Sequence, residues 1–157
     1  MHTDLTLLTA TDLHQAYALG QTDPVAVTQA HLARIAQRNP RLHAFVHVCT
    51  ELALQQAQAS AQRWAKGLPL GPLDGVPLAL KDNIDVAGET TMAGGVVCAV
   101  EAPALLDAPV VQRLRDAGAV VLGKTNMSEF AFSGVGINPH HGTPANPADT
   151  AHARVPG

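Results

Sequence analysis

One stretch, Gly71-Pro-Leu-Asp-Gly-Val-Pro-Leu-Ala-Leu-Lys81-Asp-Asn-Ile84, limits what the chain can fold into more than any other. Pro72, Gly75 and Pro77 punctuate the approach as turn formers. Val76 to Leu80 is an apolar run too short for a helix and bounded by those turn formers, which is the pattern of a short buried strand. A lysine closes the run. An ammonium group cannot stay buried and charged without a partner. Either Lys81 reaches solvent, or its nitrogen serves a site at the strand end.

The 67 residues in front of this region read mainly as helices. Thr9 or Thr11 can cap a helix that runs to about Leu19 and stops at Gly20. Thr22-Asp23-Pro24 is a second start, a cap followed by proline in the first turn. Val25, Thr28, Leu32 and Ile35 then share one face, and Asn39-Pro40 is expected to end that helix. His43 to Val48 has strand-like composition. Glu51 to Lys66 is an Ala/Gln-rich helix closed by Gly67.

Beyond Lys81, the glycines at 88, 94 and 95 make residues 85–95 a loop, long enough to hint at more than connection. Asp107 is expected to cap a helix with Pro109 in its first turn, Val110, Val111 and Leu114 on its apolar side, and Gly118 at its end. Ala119 to Leu122 reads as a strand, after which Gly123-Lys-Thr-Asn126 turns into a short helix over 127–132. Strand, helix and strand in that order predict an α/β fold with at least partly parallel strands. From Gly134 onward glycine, proline and asparagine leave no regular element.

Composition removes several classes of function. A net charge of −3 gives no footprint for nucleic acid or an anionic membrane, and 3% aromatics leave no base-stacking surface. The start has no basic n-region and no long apolar run, so no signal peptide, transit peptide or membrane span is expected, and a cytoplasmic location is. Cys49 and Cys98 lack CxxC spacing and read as buried free thiols. The eight histidines form neither HExxH nor a Cys/His ligand cluster, and His140-His141 sit in a Pro/Gly-rich loop, so no metal and no cofactor is predicted.

Gly118-Ala-Val-Val-Leu-Gly-Lys124-Thr125 fits G-x-x-x-x-G-K-[ST] literally. That pattern binds phosphate only where a strand precedes the first glycine and a loop lies between the two. Here a helix precedes Gly118 and the intervening residues are the strand itself, which cannot wrap a phosphate in backbone amides. Lys124 is then a surface or structural lysine.

Three ordered stretches carry a resemblance: Gly71 to Ile84, Gly118 to Phe130, and Gly142-Thr-Pro-Ala-Asn-Pro-Ala-Asp149 running on to Arg154-Val-Pro-Gly157. Together they resemble the amidase signature family of amide hydrolases, closely over about residues 70–157 and more loosely before. The resemblance implies the N-terminal part of that family's α/β/α fold, a mixed sheet flanked by helices, incomplete as given. Within one such domain, residues 1–67 would be a helical lead and 68–157 the start of the α/β core. It also implies that Lys81 is the base of a Ser–cis-Ser–Lys triad that cleaves carboxamides through an acyl-serine.

In the family the bridging serine follows the Arg-x-Pro-Gly segment and the nucleophile lies further on. The chain is therefore expected to stop before both, and to be inactive and poorly soluble by itself. Ser60, Ser128 and Ser133 read as structural; Ser133 lacks the leading glycine of a nucleophile elbow. By the same resemblance Ala131 and Ser133 line the acyl side of the substrate channel, and Asn146, Asp149 and Arg154 form a polar framework. One departure is a lengthened loop: four residues separate Asp149 from Arg154, where many members have two.

A lysine can take and return a proton only as the neutral amine, so its ordinary pKa of about 10.4 must fall by about 2–3 units. An apolar wall does this by burial, and Leu78, Ala79 and Leu80 are expected to form it. Asp82 would oppose it unless strand alternation points its carboxylate to the other face.

The partner expected on this reading is a small amide substrate. Two alternatives stand beside it. One is the A subunit of a tRNA-dependent amidotransferase, the only version that brings in nucleic acid. The other is a non-catalytic short product or interaction module.

Overall fold

The computed structural model describes residues 4–149. Four helices and three strands alternate along them: α1 (Ala10–Ala18), α2 (Pro24–Leu42), β1 (Phe45–Val48), α3 (Thr50–Ala65), β2 (Pro77–Lys81), α4 (Pro109–Asp116) and β3 (Val120–Thr125). Single 3-10 turns lie at Leu5–Leu7, Val97–Val100 and Glu129–Ala131.

Local sequence signals account for most helix ends. Thr9 and Asp12 close a reciprocal capping box at the start of α1, with the Asp12 N–H donating to Thr9 Oγ1 at 3.2 Å and the Thr9 N–H donating to Asp12 Oδ2 at 3.0 Å. Gly20 leaves α1 in the left-handed region, at φ +64°. The Asp23 carboxylate accepts the N–H groups of Val25 and Ala26 at 2.8 and 3.0 Å ahead of Pro24. Gly67 stops α3 in the same way as Gly20, at φ +68°.

Asn39-Pro40 does not end α2, which continues to Leu42 with Pro40 inside it. Asn39 instead shapes the exit. Its side chain donates to the Phe45 carbonyl at 2.9 Å and accepts the Phe45 N–H at 2.8 Å, joining the helix to β1. The buried stripe of α2 is Pro24, Val27 and Thr28; Val25, Leu32 and Ile35 are only half-buried.

Two compact units divide the chain. The first holds residues up to Ile35, Cys49–Ala79 and Gln112–Leu122. Its apolar cluster is Leu13, Tyr17 and Val27, with Leu5, Leu8 and Trp64 packed on them. The Tyr17 hydroxyl donates to the Gly75 carbonyl at 3.0 Å, and burial, with Asp23 and Asp74 nearby, pushes that hydroxyl far above the usual phenol range. Buried Asp74 faces Arg63 with both oxygens, at 2.8 and 2.6 Å, and accepts the Leu70 N–H at 2.8 Å. Burial pushes its carboxyl up, but the hydrogen bonds from Arg63 and Leu70 outweigh it and hold Asp74 below the ordinary carboxylate range. The second unit holds Ala36–Val48, Leu80–Val111 and the residues from Gly123.

The strands form one sheet in the order β1-β3-β2. β1 runs antiparallel to β3, pairing Phe45 with Thr125, His47 with Lys124 and Val48 with Gly123, with an irregularity between Phe45 and His47. β2 runs parallel to β3. The Val120 N–H donates to the Val76 carbonyl at 2.9 Å at one end, and the Asp82 N–H donates to the Thr125 carbonyl at 3.1 Å at the other. The sheet is therefore mixed, and α4 is the crossover between its parallel pair.

Three elements differ from the sequence expectation. β3 does not end at Leu122 but runs through Gly123, Lys124 and Thr125. At Gly123 any side chain would collide with the His47 carbonyl oxygen of β1, so glycine keeps the ladder closed there. Second, the short helix expected over 127–132 is a single 3-10 turn in which Phe130 and Ala131 take left-handed φ values of 50° and 57°. Third, Val111 alone of the expected apolar side of α4 is fully buried, and Val110 is half exposed. Asp107 accepts the Ala87 N–H at 2.7 Å. Of the two cysteines only Cys49 is buried; Cys98 is half-buried. Among the described residues no helix is long and apolar enough to cross a membrane.

Candidate active site

Alternation along β2 decides what its last residue can do. Leu80 is buried, Lys81 is exposed and Asp82 is buried. Lys81 therefore faces away from Leu80 and opens onto a cleft of about 440 Å³. Thr125, Asn126, Ser128, Ala131 and Ser133 also line that cleft. The three predicted site residues, Lys81, Ala131 and Ser133, are thus brought to one place.

The apolar wall expected around Lys81 is not found. Ala79, on the same side of the strand, is exposed, and Leu80 lies on the opposite side. The reason is again the pleat, which lets only alternate residues share a face. The expectation for Asp82 holds: its carboxylate points away from Lys81, toward the buried face.

Asp82 and Lys124 form a buried pair in which each residue is 1% exposed, with Nζ and Oδ1 4.0 Å apart. Asp82 Oδ2 accepts the Gly94 N–H at 2.9 Å, and the Asp82 carbonyl accepts the Ala93 N–H at 3.2 Å. Lys124 Nζ donates to the Ile84 carbonyl at 2.8 Å. Lys124 is therefore structural rather than superficial, and the G-x-x-x-x-G-K-T resemblance dissolves: its lysine is inside a strand and already bonded.

Two asparagines fasten the far side of the cleft. Asn126 Nδ2 donates to the carbonyls of His43 and Gly142 at 2.9 and 2.7 Å. Asn138, 1% exposed, donates to the carbonyls of Gly94 and Met127 at 2.8 and 2.7 Å, and its Oδ1 accepts the N–H groups of His140 and His141. Asn138 and the Asp82–Lys124 link are what sequence reasoning missed. The one signal for the link was periodicity, since a residue next to an exposed Lys81 on a strand must face inward and needs a cationic partner. Nothing local marks Asn138.

None of the described serines is prepared as a nucleophile. Ser60 is buried within α3. Ser128 precedes the 3-10 turn and makes no capping bond with its side chain. The Ser133 hydroxyl donates to the Val135 carbonyl at 2.6 Å and accepts the Val135 N–H at 3.1 Å, a local turn. His140 lies 3.4 Å from Glu129, and His141 Nε2 contacts the Gly95 carbonyl at 3.2 Å. Asn146 accepts the Ala148 N–H at 2.9 Å, and its carbonyl accepts the Asp149 N–H at 3.2 Å. Arg154 and the segment to Gly157 lie outside the described residues.

The family model for amidases matches residues 26–157, a range that includes β2, Lys81 and the cleft beside it. The chain belongs to the amidase family. Among relatives of this amidase-family chain, the A subunit of glutamyl-tRNA(Gln) amidotransferase from Salinispora arenicola is 47% identical over 155 residues, 99% of this chain and 31% of that protein. Peptide amidase from Stenotrophomonas maltophilia superposes with a TM-score of 0.81 at 39% identity, covering 91% of this chain and 30% of that one. A structure described as a vestigial protein complex revealing the origins of an s-triazine catabolic enzyme superposes with a TM-score of 0.88 at 38% identity, covering 91% and 31%. The chain thus spans about 31% of the length of the relatives it matches.

Proposed function

We propose that the complete gene product hydrolyses a carboxamide through an acyl-serine, with Lys81 as the base of a Ser–cis-Ser–Lys triad. The observation that carries this reading is the cleft shared by Lys81, Ala131 and Ser133. An amine at a strand end beside a cavity can take a proton from a hydroxyl and return it to a leaving nitrogen once it is neutral, which on this reading requires the rest of the protein to cover Lys81. Ala131 and Ser133 then form part of the acyl-side wall. The helical lead, residues 1–67, and the core from residue 68 are read as one portion of a single amidase domain.

A second reading is favoured by the 47% identity to one component of an amidotransferase. The amide would then be glutamine, the ammonia would pass to a partner protein that works on glutamyl-tRNA, and the reaction would take place in the cytoplasm. Ammonia release by the complete gene product separates the two. Turnover of a C-terminal peptide amide without any partner supports the free hydrolase, while turnover of L-glutamine that rises with co-purifying proteins supports the amidotransferase. In either case Lys81→Ala is expected to lower turnover by about a thousandfold or more, and near-normal turnover would remove Lys81 from the chemistry.

A further inference from the structure

The residue after Lys81 belongs to a buried charge pair that amide hydrolysis leaves without a task. We propose that Asp82 and Lys124 are positioning residues that fix Lys81 against the Ala131 side of the cleft. The inference rests on the reading of Lys81 as the base.

Burying two opposite charges is a poor way to add stability, since apolar residues of similar volume often do as well or better. What a buried pair can add is a defined arrangement of the backbone it grips. Each member here grips a different piece of chain beside Lys81. Asp82 holds Ala93 through its carbonyl and Gly94 through its carboxylate. The Ala93 carbonyl in turn accepts the Phe130 N–H at 2.8 Å. Phe130 leads directly into Ala131, which lines the cleft.

Lys124 completes the hold from the other direction. Its ammonium binds the Ile84 carbonyl, and the Ile84 N–H closes back on the Lys81 carbonyl at 3.0 Å. The backbone leaving Lys81 is therefore tied on two sides, once to the turn of residues 81–84 and once to the loop carrying Ala131. Ala93, Phe130 and Ala131 all sit at left-handed φ values, between 50° and 57°. Non-glycine residues persist in that region only where their surroundings impose it. The bonds from Asp82 to Ala93 and Gly94, and from Ala93 to Phe130, impose it here. Asn138, bonded to the Gly94 and Met127 carbonyls, closes the same junction from behind.

The test uses the complete gene product with Asp82→Ala, Lys124→Met, the double variant Asp82→Asn/Lys124→Met, and Lys81→Ala as reference. The readouts are kcat and KM for ammonia release from L-glutamine and from a C-terminal peptide amide, the rate at which a fluorophosphonate labels the serine, and the thermal midpoint. Well below their midpoints, each single variant should lose about 10–100-fold in kcat and in labelling rate, with KM within about twofold, because a small misplacement of a base acts on the chemical step. The double variant is neutral and its amide oxygen can still accept the Gly94 N–H, but it lacks the Lys124 bond to the Ile84 carbonyl, so it should recover in part, to within about tenfold of wild type. Folded single variants with wild-type kcat and labelling overturn the proposal. So does a folded double variant as slow as Lys81→Ala, which decides the matter even if a single variant does not fold. Wild-type turnover and labelling in Lys81→Ala would instead remove the base, and this inference with it.

Discussion

Asp74 and Asp82 are both buried, and they flank β2 at its two ends, yet they are bonded in opposite ways. Asp74 has both oxygens on the guanidinium of Arg63 and one of them also on the Leu70 N–H at 2.8 Å, and its carbonyl accepts the Trp64 indole N–H at 3.1 Å. Asp82 stands 4.0 Å from its lysine, and its carboxylate takes the N–H of Gly94, twelve residues further along the chain. The first arrangement joins α3 to the turn before β2. The second sets the loop behind a cleft. A buried carboxylate is thus informative through which backbone it holds besides its cation: Asp74 takes the Leu70 N–H in the approach to β2, whereas Asp82 takes the Gly94 N–H in the loop behind the cleft.

Removing Asp74 gives the largest expected effect on stability. Asp74→Ala leaves the Arg63 guanidinium and the Leu70 N–H without their acceptor and should cost about 3 kcal/mol, measured by denaturant unfolding, with kcat unchanged in the folded fraction. Because the Asp74 carboxyl lies below its ordinary value of 3.8, its contribution is complete above that pH and fades as pH falls through the lower native value. The stability gap between wild type and the Asp74 variant should therefore be flat near neutrality and shrink below about pH 4. Loss of kcat without loss of stability would erase the contrast between the two aspartates.

Gly94→Ala acts on the Asp82 side. Gly94 has φ +72°, and a Cβ there would fall 2.6 Å from the Met127 carbonyl oxygen. The expected cost is about 1–2 kcal/mol, together with a fall in kcat, since Gly94 is held by both Asp82 and Asn138. Stability lost with kcat intact would show that the loop bears on folding alone. The smallest effect is expected far from the cleft. Thr9→Ala removes the capping box of α1 and should lower stability by about 1 kcal/mol, with both kcat and KM unchanged. A change in either would show that the helical lead reaches the chemistry.

Much of this molecule is legible in its sequence where the signal is local. Turn formers mark the strand before Lys81, Asp23-Pro24 starts α2, and the glycines at 20 and 67 stop their helices. The β2–α4–β3 order correctly predicts a parallel pair, and Lys81, Ala131 and Ser133 do share a cleft. What sequence reading loses depends on distant bonds. Residues 127–132 look helical, but the Phe130 N–H goes to Ala93 and the Met127 carbonyl to Asn138, which leaves only one tight turn. Pro40 looks like a helix end, and Asn39 carries the chain past it. Lys124 reads as either a surface or a structural lysine until β3 is laid beside β2 and Asp82 becomes its partner. The apolar wall assigned to Lys81 failed for a local reason, because neighbours on a strand cannot line one side.

The proposed chemistry depends most on an amine at position 81. Lys81→Cys, made in a Cys98→Ser background because Cys98 is the half-buried thiol, can be alkylated with 2-bromoethylamine to rebuild an amine of nearly lysine length. Unmodified, the complete gene product carrying this variant should, on the proposed reading, release ammonia from an amide substrate about a thousandfold more slowly than wild type. Aminoethylation should restore a measurable part of that rate, and alkylation with neutral iodoacetamide should restore none. Near-wild-type turnover before alkylation, or equal rates after the two reagents, would contradict Lys81 as the base.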